Sequence, residues 1–547
     1  MTPSDALVIV VPALPLIAAG AIALVRPAGD RASRWAVRAA TAAFAAAVVV
    51  AIIVAVSGPL AAVVETGSGQ ARVGLYASRV TALLGLLTTG VGLVVQSFAS
   101  RNLQGDLFAR RFFALASLLT AATTSVAFAA TLSLLCAAWI VAGLALAALV
   151  THRATWQPAR RASRRTLRSL WIGDGALLVA TLVAMVSVGE IDLRSPATAA
   201  SELAHASIPV LGGNVLWVVA VLLTVAGISR SALVPVHQWL PSTIAAPTPV
   251  SALLHAGVVN GAGMLLVRLA PVFGSSAVAT HVAFAAGAVT TCYATTVMLV
   301  RSDVKGNLAW STAGQMGFMT VQVAIGAFPA ALLHIIGHGM DKAALFLRAG
   351  SAVTDHLHQR ERPPGYVVAR SVRLGVALLV PAVALWAAYS VIHPHLSTAA
   401  GVLVTVFAWA TAARAVDGWL RSAPFRPVAA AVTAAFGAAA GVFAYIGGLT
   451  VVETFVADAL PAEVPEAVST AVLIATLAAI ALVVAVVWLT PGERMGRVRS
   501  RVYALALTSA PVASSLTTRG SSTGVAPVPE SRHLRPDVDL TRSTRSR

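Results

Sequence analysis

Four ionisable side chains fall within nine residues of one apolar segment, FPAALLHIIGHGMDKAALFLRAG: His334, His338, Asp341 and Lys342. Steps of four place His334, His338 and Lys342 on one slowly drifting stripe of a helix. Each step advances about 40° around the axis and about 6 Å along it, so the stripe covers about 12 Å. Imidazole and amine groups at that spacing can be joined by waters, and each can hold or pass a proton. A packing role competes with this relay: Asp341 and Lys342 could neutralise neighbours while the histidines bond a facing helix.

Lys342 and Lys305 are the only lysines among 39 basic residues. Arginine supplies a fixed charge at any accessible pH, whereas a buried ammonium can lose its proton, so two lysines kept in an arginine-rich chain are candidates for titration. Arginine-favouring codon use in a GC-rich genome would give the same ratio. A second cluster lies in ISRSALVPVHQWLPSTIAAPTPVSALLHAGVVNGAG. Pro235, Pro241, Pro247 and Pro249 forbid a continuous helix there, so Arg230 sits near a broken or ending helix and a new one starts around Pro249. Broken helices in transporters are places for ion sites, because freed backbone groups need partners. His255 lies about one and a half turns into the new helix and Asn260 a further turn and a half deeper. By itself His255 reads equally as a ligand or as a satisfied core residue. Gly257, Gly261 and Gly263 point to close helix packing.

The elements that must position these groups are membrane helices. Hydrophobic residues make up 58% of the 547, charged residues 11%, and mean hydropathy is +0.82. No water-soluble fold of that size exposes such a surface. A span needs roughly 20 apolar residues to cross about 30 Å of hydrocarbon. Such runs start near residues 6, 36, 80, 112, 131, 170, 212, 250, 278, 306, 328, 372, 399, 428 and 469. The chain is therefore expected to be an all-α polytopic membrane protein with about fifteen transmembrane helices, or fourteen if the tight pair between Phe112 and Val150 is miscounted.

Charge supports that count. The odd-numbered connections and the C-terminal tail hold 34 of the 39 basic residues, whereas the even-numbered ones hold only Arg72, Arg79, Arg194 and Arg268. The positive-inside rule then places the N-terminus outside and the C-terminus in the cytoplasm. The net charge of +18 is membrane orientation and not a nucleic-acid footprint. The first helix lacks a basic n-region and a cleavage site, so it reads as a span and not a signal peptide. Cys136 and Cys292 have no disulfide or metal-ligand spacing, which leaves haem, Fe–S and structural zinc unsupported. Residues 1–490 are expected to form the membrane domain. Residues 491–547, rich in Ser, Thr, Arg and Pro, are expected to be a basic, disordered cytoplasmic tail in contact with anionic lipid.

Three segments in order, HQWLPSTIAAPTPVSALLHAG, DVKGNLAWSTAGQMGFM and HIIGHGMDKAALFLRAGSAV, resemble the proton-translocating antiporter family shared by the L-type subunit of respiratory complex I and the Mrp cation/proton antiporters. The resemblance implies two five-helix repeats, the second inverted. It puts His255 in place of the family's eighth-helix histidine and His334 with His338 in place of the central relay pair. Lys342 and Lys305 match lysines of the same motifs, with Asp303 and Asp341 beside them. Arg230 stands where the family usually has a lysine, and can act only as a fixed charge. The family's fifth-span glutamate is missing: no acid occurs between Thr131 and Val150, so the usual ion pair is not expected.

That departure, a chain too short for the long lateral helix of the complex I subunit, and the run RATWQPARRASRRTLRSLWIGDGALL are similar to the DabB type of membrane subunit in inorganic-carbon accumulation complexes. The resemblance implies an energy-coupled CO2/bicarbonate uptake subunit in a bacterial cell membrane. Protons or another cation would pass along His255, His334, His338 and Lys342, adjusted by Arg230, Asp303, Lys305 and Asp341. A DabA-like cytoplasmic zinc protein would be the partner, docked on the basic loops at residues 152–168 and 348–373, and would hold the zinc. This chain would carry no cofactor and would not itself be an enzyme. The alternative is an ion-translocating subunit of an NADH-quinone oxidoreductase or an Mrp-type antiporter, and a third is an inactive scaffold with a decayed relay.

Overall fold

The structure, a computed structural model, describes residues 3–65, 71–208, 213–351, 369–394, 398–422, 426–461, 468–489 and scattered positions between 496 and 507. Most of the expected tail and residues 352–368 of the second basic loop lie outside the described residues. The chain is mostly helical. The first half contains α1 (Pro3–Val25), α2 (Gly29–Ser57), α3 (Arg79–Asn102), α4 (Ala109–Phe128), α5 (Leu132–Val150), α6 (Gln157–Val188), the short α7 (Pro196–His205) and α8 (Val215–Arg230). A turn of helix, α9 (Trp239–Ser242), leads into α10 (Thr248–Ala256), α11 (Gly261–Arg268) and α12 (Ala270–Gly274). Long helices resume with α13 (Ala277–Val300), α14 (Val304–Ala324), α15 (Phe328–Arg348), α16 (Arg370–Ile392), α17 (Thr398–Ser422), α18 (Pro427–Val456) and α19 (Thr470–Leu489).

Each of the apolar runs picked out in the sequence is helical here, and eleven helices among the described residues are long and apolar enough to cross a membrane. The 21-residue helices α14 and α15 fall outside that set. They are the helices that carry the polar stripe, whose Lys, Gln, His and Asp side chains dilute their apolarity. Two antiparallel hairpins were not expected: β1 (Leu60–Glu65) with β2 (Ala71–Ala77), and β3 (Ser207–Ile208) with β4 (Gly213–Asn214). In β1 the alternation of buried and part-buried residues is the period-two pattern of a half-covered strand, too short to register against long apolar helices.

The span expected near residue 250 is interrupted. α10 stops at Ala256, one 3-10 turn covers Val258–Asn260, and α11 resumes at Gly261. Pro249 at the N-terminal turn of α10 costs no internal hydrogen bond. At the far end Arg268 is 7% exposed and donates to the carbonyls of Val126 and Ala129, at 2.5 Å each. It thereby closes the C-terminus of α4, whose last carbonyls have no intrahelical partners. Close helix approach is set by glycine where α13 crosses α14. A Cβ on Gly287 would lie 2.7 Å from the Gly317 carbonyl oxygen, and one on Gly317 would lie 2.6 Å from that of Gly287. Small residues at such crossings let backbones meet and dispersion contacts accumulate.

Gly317→Val should therefore destabilise the protein by about 1–3 kcal/mol. In a detergent melting experiment it should melt clearly below wild type. Gly337→Ala is the control, since a Cβ there meets nothing within 4 Å; equal melting temperatures for the two variants would contradict this packing.

Candidate functional site: a polar row at the interrupted helix

α14 and α15 are consecutive, antiparallel neighbours, and their polar residues pair rung by rung. His334 Nδ1 lies 2.9 Å from Gln322 Oε1, His338 Nδ1 lies 2.6 Å from Gln315 Oε1, and Lys342 Nζ donates to Ser311 Oγ at 3.1 Å. The sequence reading had His334, His338 and Lys342 but not their partners. Ser311, Gln315 and Gln322 are spaced by four and seven, which is one face of α14, and that periodicity was a usable signal.

The third helix of the site is the interrupted one. His338 Nε2 donates to the His255 carbonyl at 3.1 Å, and Asn260 Nδ2 donates to the Ala256 carbonyl at 2.8 Å. Both carbonyls sit at the end of α10, where the helical ladder stops. Gly339 makes the approach possible: a Cβ there would lie 3.0 Å from the Ala256 oxygen. The His255 ring stacks on Phe346 with centroids 4.2 Å apart, and its Nδ1 has no hydrogen-bond partner among the described residues. The rings of His334 and His338 are 6.1 Å apart.

This geometry constrains the protonation of His338. A carbonyl can only accept, so Nε2 carries a proton. Nδ1 then either carries a second proton, donated to the Gln315 carbonyl oxygen, or is bare and accepts from the Gln315 amide after that group turns over. One glutamine thus serves the neutral ring and the imidazolium. Gln322 can do the same for His334. Nδ1 of each ring thus keeps a partner in either state.

Arg230, 3% exposed, occupies a separate station at the end of α8. Its Nη2 donates to Asp174 Oδ1 at 2.7 Å and to the Trp139 carbonyl at 2.9 Å, with the guanidinium 4.4 Å from the centre of the Trp139 ring. The fifth span supplies no acid, as its sequence implied, and Arg230 finds its counterion elsewhere. The acid comes from α6 and not from α5. Gly143 on α5 leaves the gap through which the two meet: a Cβ there would lie 3.2 Å from Asp174 Oδ2 and 3.3 Å from Arg230 Nη2. Gly261 plays the same part on the other side, where a Cβ would lie 2.4 Å from Arg230 Cγ. Gly261, read from the sequence as a packing residue, and Gly143 thus hold open the seat of a charge.

The remaining expected site residues are placed at the edges. Asp341 is half exposed with its carboxylate 3.3 Å from Lys342 Nζ. Asp303 caps α14 by accepting from Gly306 N at 2.7 Å and pairs with Arg301 at 2.5 Å. Lys305, two residues on, donates to the Ala246 carbonyl at 3.1 Å, in the segment entering α10. Among the described residues no group of three or more His, Cys, Asp or Glu side chains is placed to hold a metal ion.

Residues 129–363 match the family described as NADH:quinone oxidoreductase/Mrp antiporter, transmembrane. The chain is 31% identical over 351 residues to "Probable inorganic carbon transporter subunit DabB1" of Halothiobacillus neapolitanus (strain ATCC 23641 / c2), covering 62% of this chain and 62% of that protein. It is 32% identical over 284 residues to the chloroplastic NAD(P)H-quinone oxidoreductase subunit 5 of Zygnema circumcarinatum, covering 51% of this chain and 40% of that one. The chain spans less than two thirds of the length of these curated relatives. The fold is similar to a chain of the Mrp complex from Dietzia sp. DQ12-45-1b, with TM-score 0.58 and 21% identity over 93% of this chain and 60% of that one.

Removing one partner of the buried Arg230–Asp174 pair should cost about 3–5 kcal/mol, because an uncompensated charge stays behind, whereas apolar replacement of both is often nearly neutral. Asp174→Leu should lower the melting temperature, and Asp174→Leu with Arg230→Met should recover most of the loss. A double variant no more stable than the single one would show that the pair is not the relevant unit.

Proposed function

We propose that the chain is the membrane subunit of an energy-coupled inorganic-carbon uptake complex and conducts protons or another cation. The observation that carries this is the row itself: His334, His338 and Lys342, each facing a polar partner on α14, with His338 bonded to the broken helix at His255. Ionisable groups at membrane depth are costly, so a paired series of them marks an ion path. His255, His334, His338 and Lys342 carry the ion in this reading. Arg230 sets a fixed charge, and Lys305, Asp303 and Asp341 adjust the ends of the path.

Similarity to DabB-named carbon transporter subunits supports uptake of CO2 or bicarbonate, with the hydration chemistry on a DabA-like cytoplasmic zinc protein and none on this chain. The basic segments at 152–168, of which Gln157 onward is the start of α6 and not the loop expected, and at 348–373 are its docking surface. The topology that goes with this reading has about fifteen spans in a bacterial inner membrane, residues 1–490 as the membrane domain and 491–547 as a cytoplasmic tail. The N-terminus is outside and the C-terminus inside, with two inverted five-helix repeats. A second reading, an ion-translocating subunit of a quinone oxidoreductase or Mrp-type antiporter, is favoured by the similarity to chloroplastic subunit 5.

Lys342→Ala should abolish uncoupler-sensitive ion movement in vesicles while leaving membrane insertion intact; normal transport in that variant would overturn the path. Growth in air of a carbonic-anhydrase-deficient bacterium separates the two functions. Rescue by this chain together with its partner, lost on adding an uncoupler, is expected for carbon uptake. No rescue with both proteins assembled would favour the second reading.

A further inference from the structure

One large cavity stands apart from the row. It is a half-open cleft of about 680 Å³, and its lining includes Asp106 from the turn after α3, His152 and Arg153 from the turn after α5, Thr248 at the start of α10 and Lys305 at the start of α14. These belong to four different connections, all on the arginine-rich side of the membrane by the charge pattern of the sequence. At about 30 Å³ each, on the order of twenty waters fit.

His152 is built into the wall. It is 3% exposed, its Nε2 lies 3.3 Å from Asp106 Oδ1, and Phe108 and Phe112 meet its ring edge-on. Nδ1 makes no hydrogen bond among the described residues. Asp106 is itself held by the Phe108 N–H at 2.7 Å and lies 3.6 Å from Arg153 Nη2. Arg111 on α4 donates to the carbonyls of Thr151 and Ala148, and Lys305 is the other cation on the cavity. Burial pushes the His152 imidazole below its usual range, with Asp106 opposing and Arg111 and Arg153 adding to the shift. At neutral pH the ring is then mostly neutral, with Asp106 fixing the proton on Nε2 and leaving Nδ1 as a lone pair.

Neither His152 nor Asp106 belongs to the row, yet Lys305 lines the same cavity. From Thr248, on the same cavity, His255 is seven residues along α10, about 10 Å at 1.5 Å per residue. We propose that this cavity is the port through which the conducting row exchanges protons with water on the basic face, and that His152, oriented by Asp106, is the shuttle. The inference rests on the reading of the row as a proton path. In the outward step toward solvent, Nδ1 of neutral His152 takes a proton relayed by cavity water from the Lys305 ammonium. The imidazolium then releases that proton from Nδ1 to buffer while Nε2–H stays on Asp106. The amine of Lys305 is reprotonated from the row, and the reverse order serves uptake.

The test uses the full chain with its partner in sealed vesicles, with proton flux read by an interior pH dye. His152→Ala should slow flux by about tenfold or more at pH 7, in the range of a lost proton-transfer group. Imidazole added to the medium, small enough for the vacated cavity, should restore it. His152→Gln, which keeps a donor toward Asp106 but cannot titrate, should be slow with an unchanged melting temperature. Lys342→Ala should be slow and insensitive to imidazole. Unchanged flux in His152→Ala or His152→Gln, or a loss in a stable His152→Ala protein that imidazole does not repair, would overturn the port while leaving the row intact. Wild-type vesicles that move no protons would overturn the conduction reading, and the port with it.

Discussion

Inside a bilayer each backbone carbonyl must find a donor within the protein, and the interruption between α10 and α11 is where this chain withholds the ordinary one. The carbonyls of His255 and Ala256 are served by side chains, His338 from α15 and Asn260 from the turn itself. That fixes how deep α15 sits, because His338 must reach the break, and Gly339 must be bare to let it. With His338 seated, steps of four residues carry His334 and Lys342 to their own partners on α14. One missing helical turn thus aligns three helices.

The same constraint governs the charges. Arg230 could not be tolerated at 3% exposure without a counterion, and Asp174 supplies it across two bare glycines, with the Trp139 ring and carbonyl completing the shell. Since arginine does not deprotonate, this pair is a fixed element of the field. The histidines of α15 are paired with neutral glutamines, which accommodate either protonation state, while Lys342 has Ser311 and the half-exposed Asp341 beside it. The division separates charges that hold the structure from groups able to change charge, which is the arrangement a conducting subunit requires.

The cavity at the basic face extends this logic outward. It brings four connections of unrelated sequence to one volume, and the His152–Asp106 pair it contains is neither an exposed surface pair nor part of the membrane row. Residues 129–363 match the NADH:quinone oxidoreductase/Mrp antiporter family, and that range includes both His152 and the row.

The sequence by itself determined the membrane class, the helical segments and the stripe of His334, His338 and Lys342, because hydropathy and four-residue spacing are local and written along one helix. Prolines 247 and 249 also announced the restart of a helix before His255. The acid opposite Arg230 was sought on α5, where the family pattern puts it, and was missed on α6 because nothing in a run of Ala, Leu and Val states which helix lies beside which. The glutamines opposite the histidines, the capture of the His255 carbonyl and the pairing of His152 with Asp106 were hidden for the same reason. Apolar helix surfaces are nearly interchangeable along the chain, so the lateral arrangement that turns separate polar residues into pairs is decided only when the helices pack, by small residues at crossings and by the demand of each buried polar group for a partner.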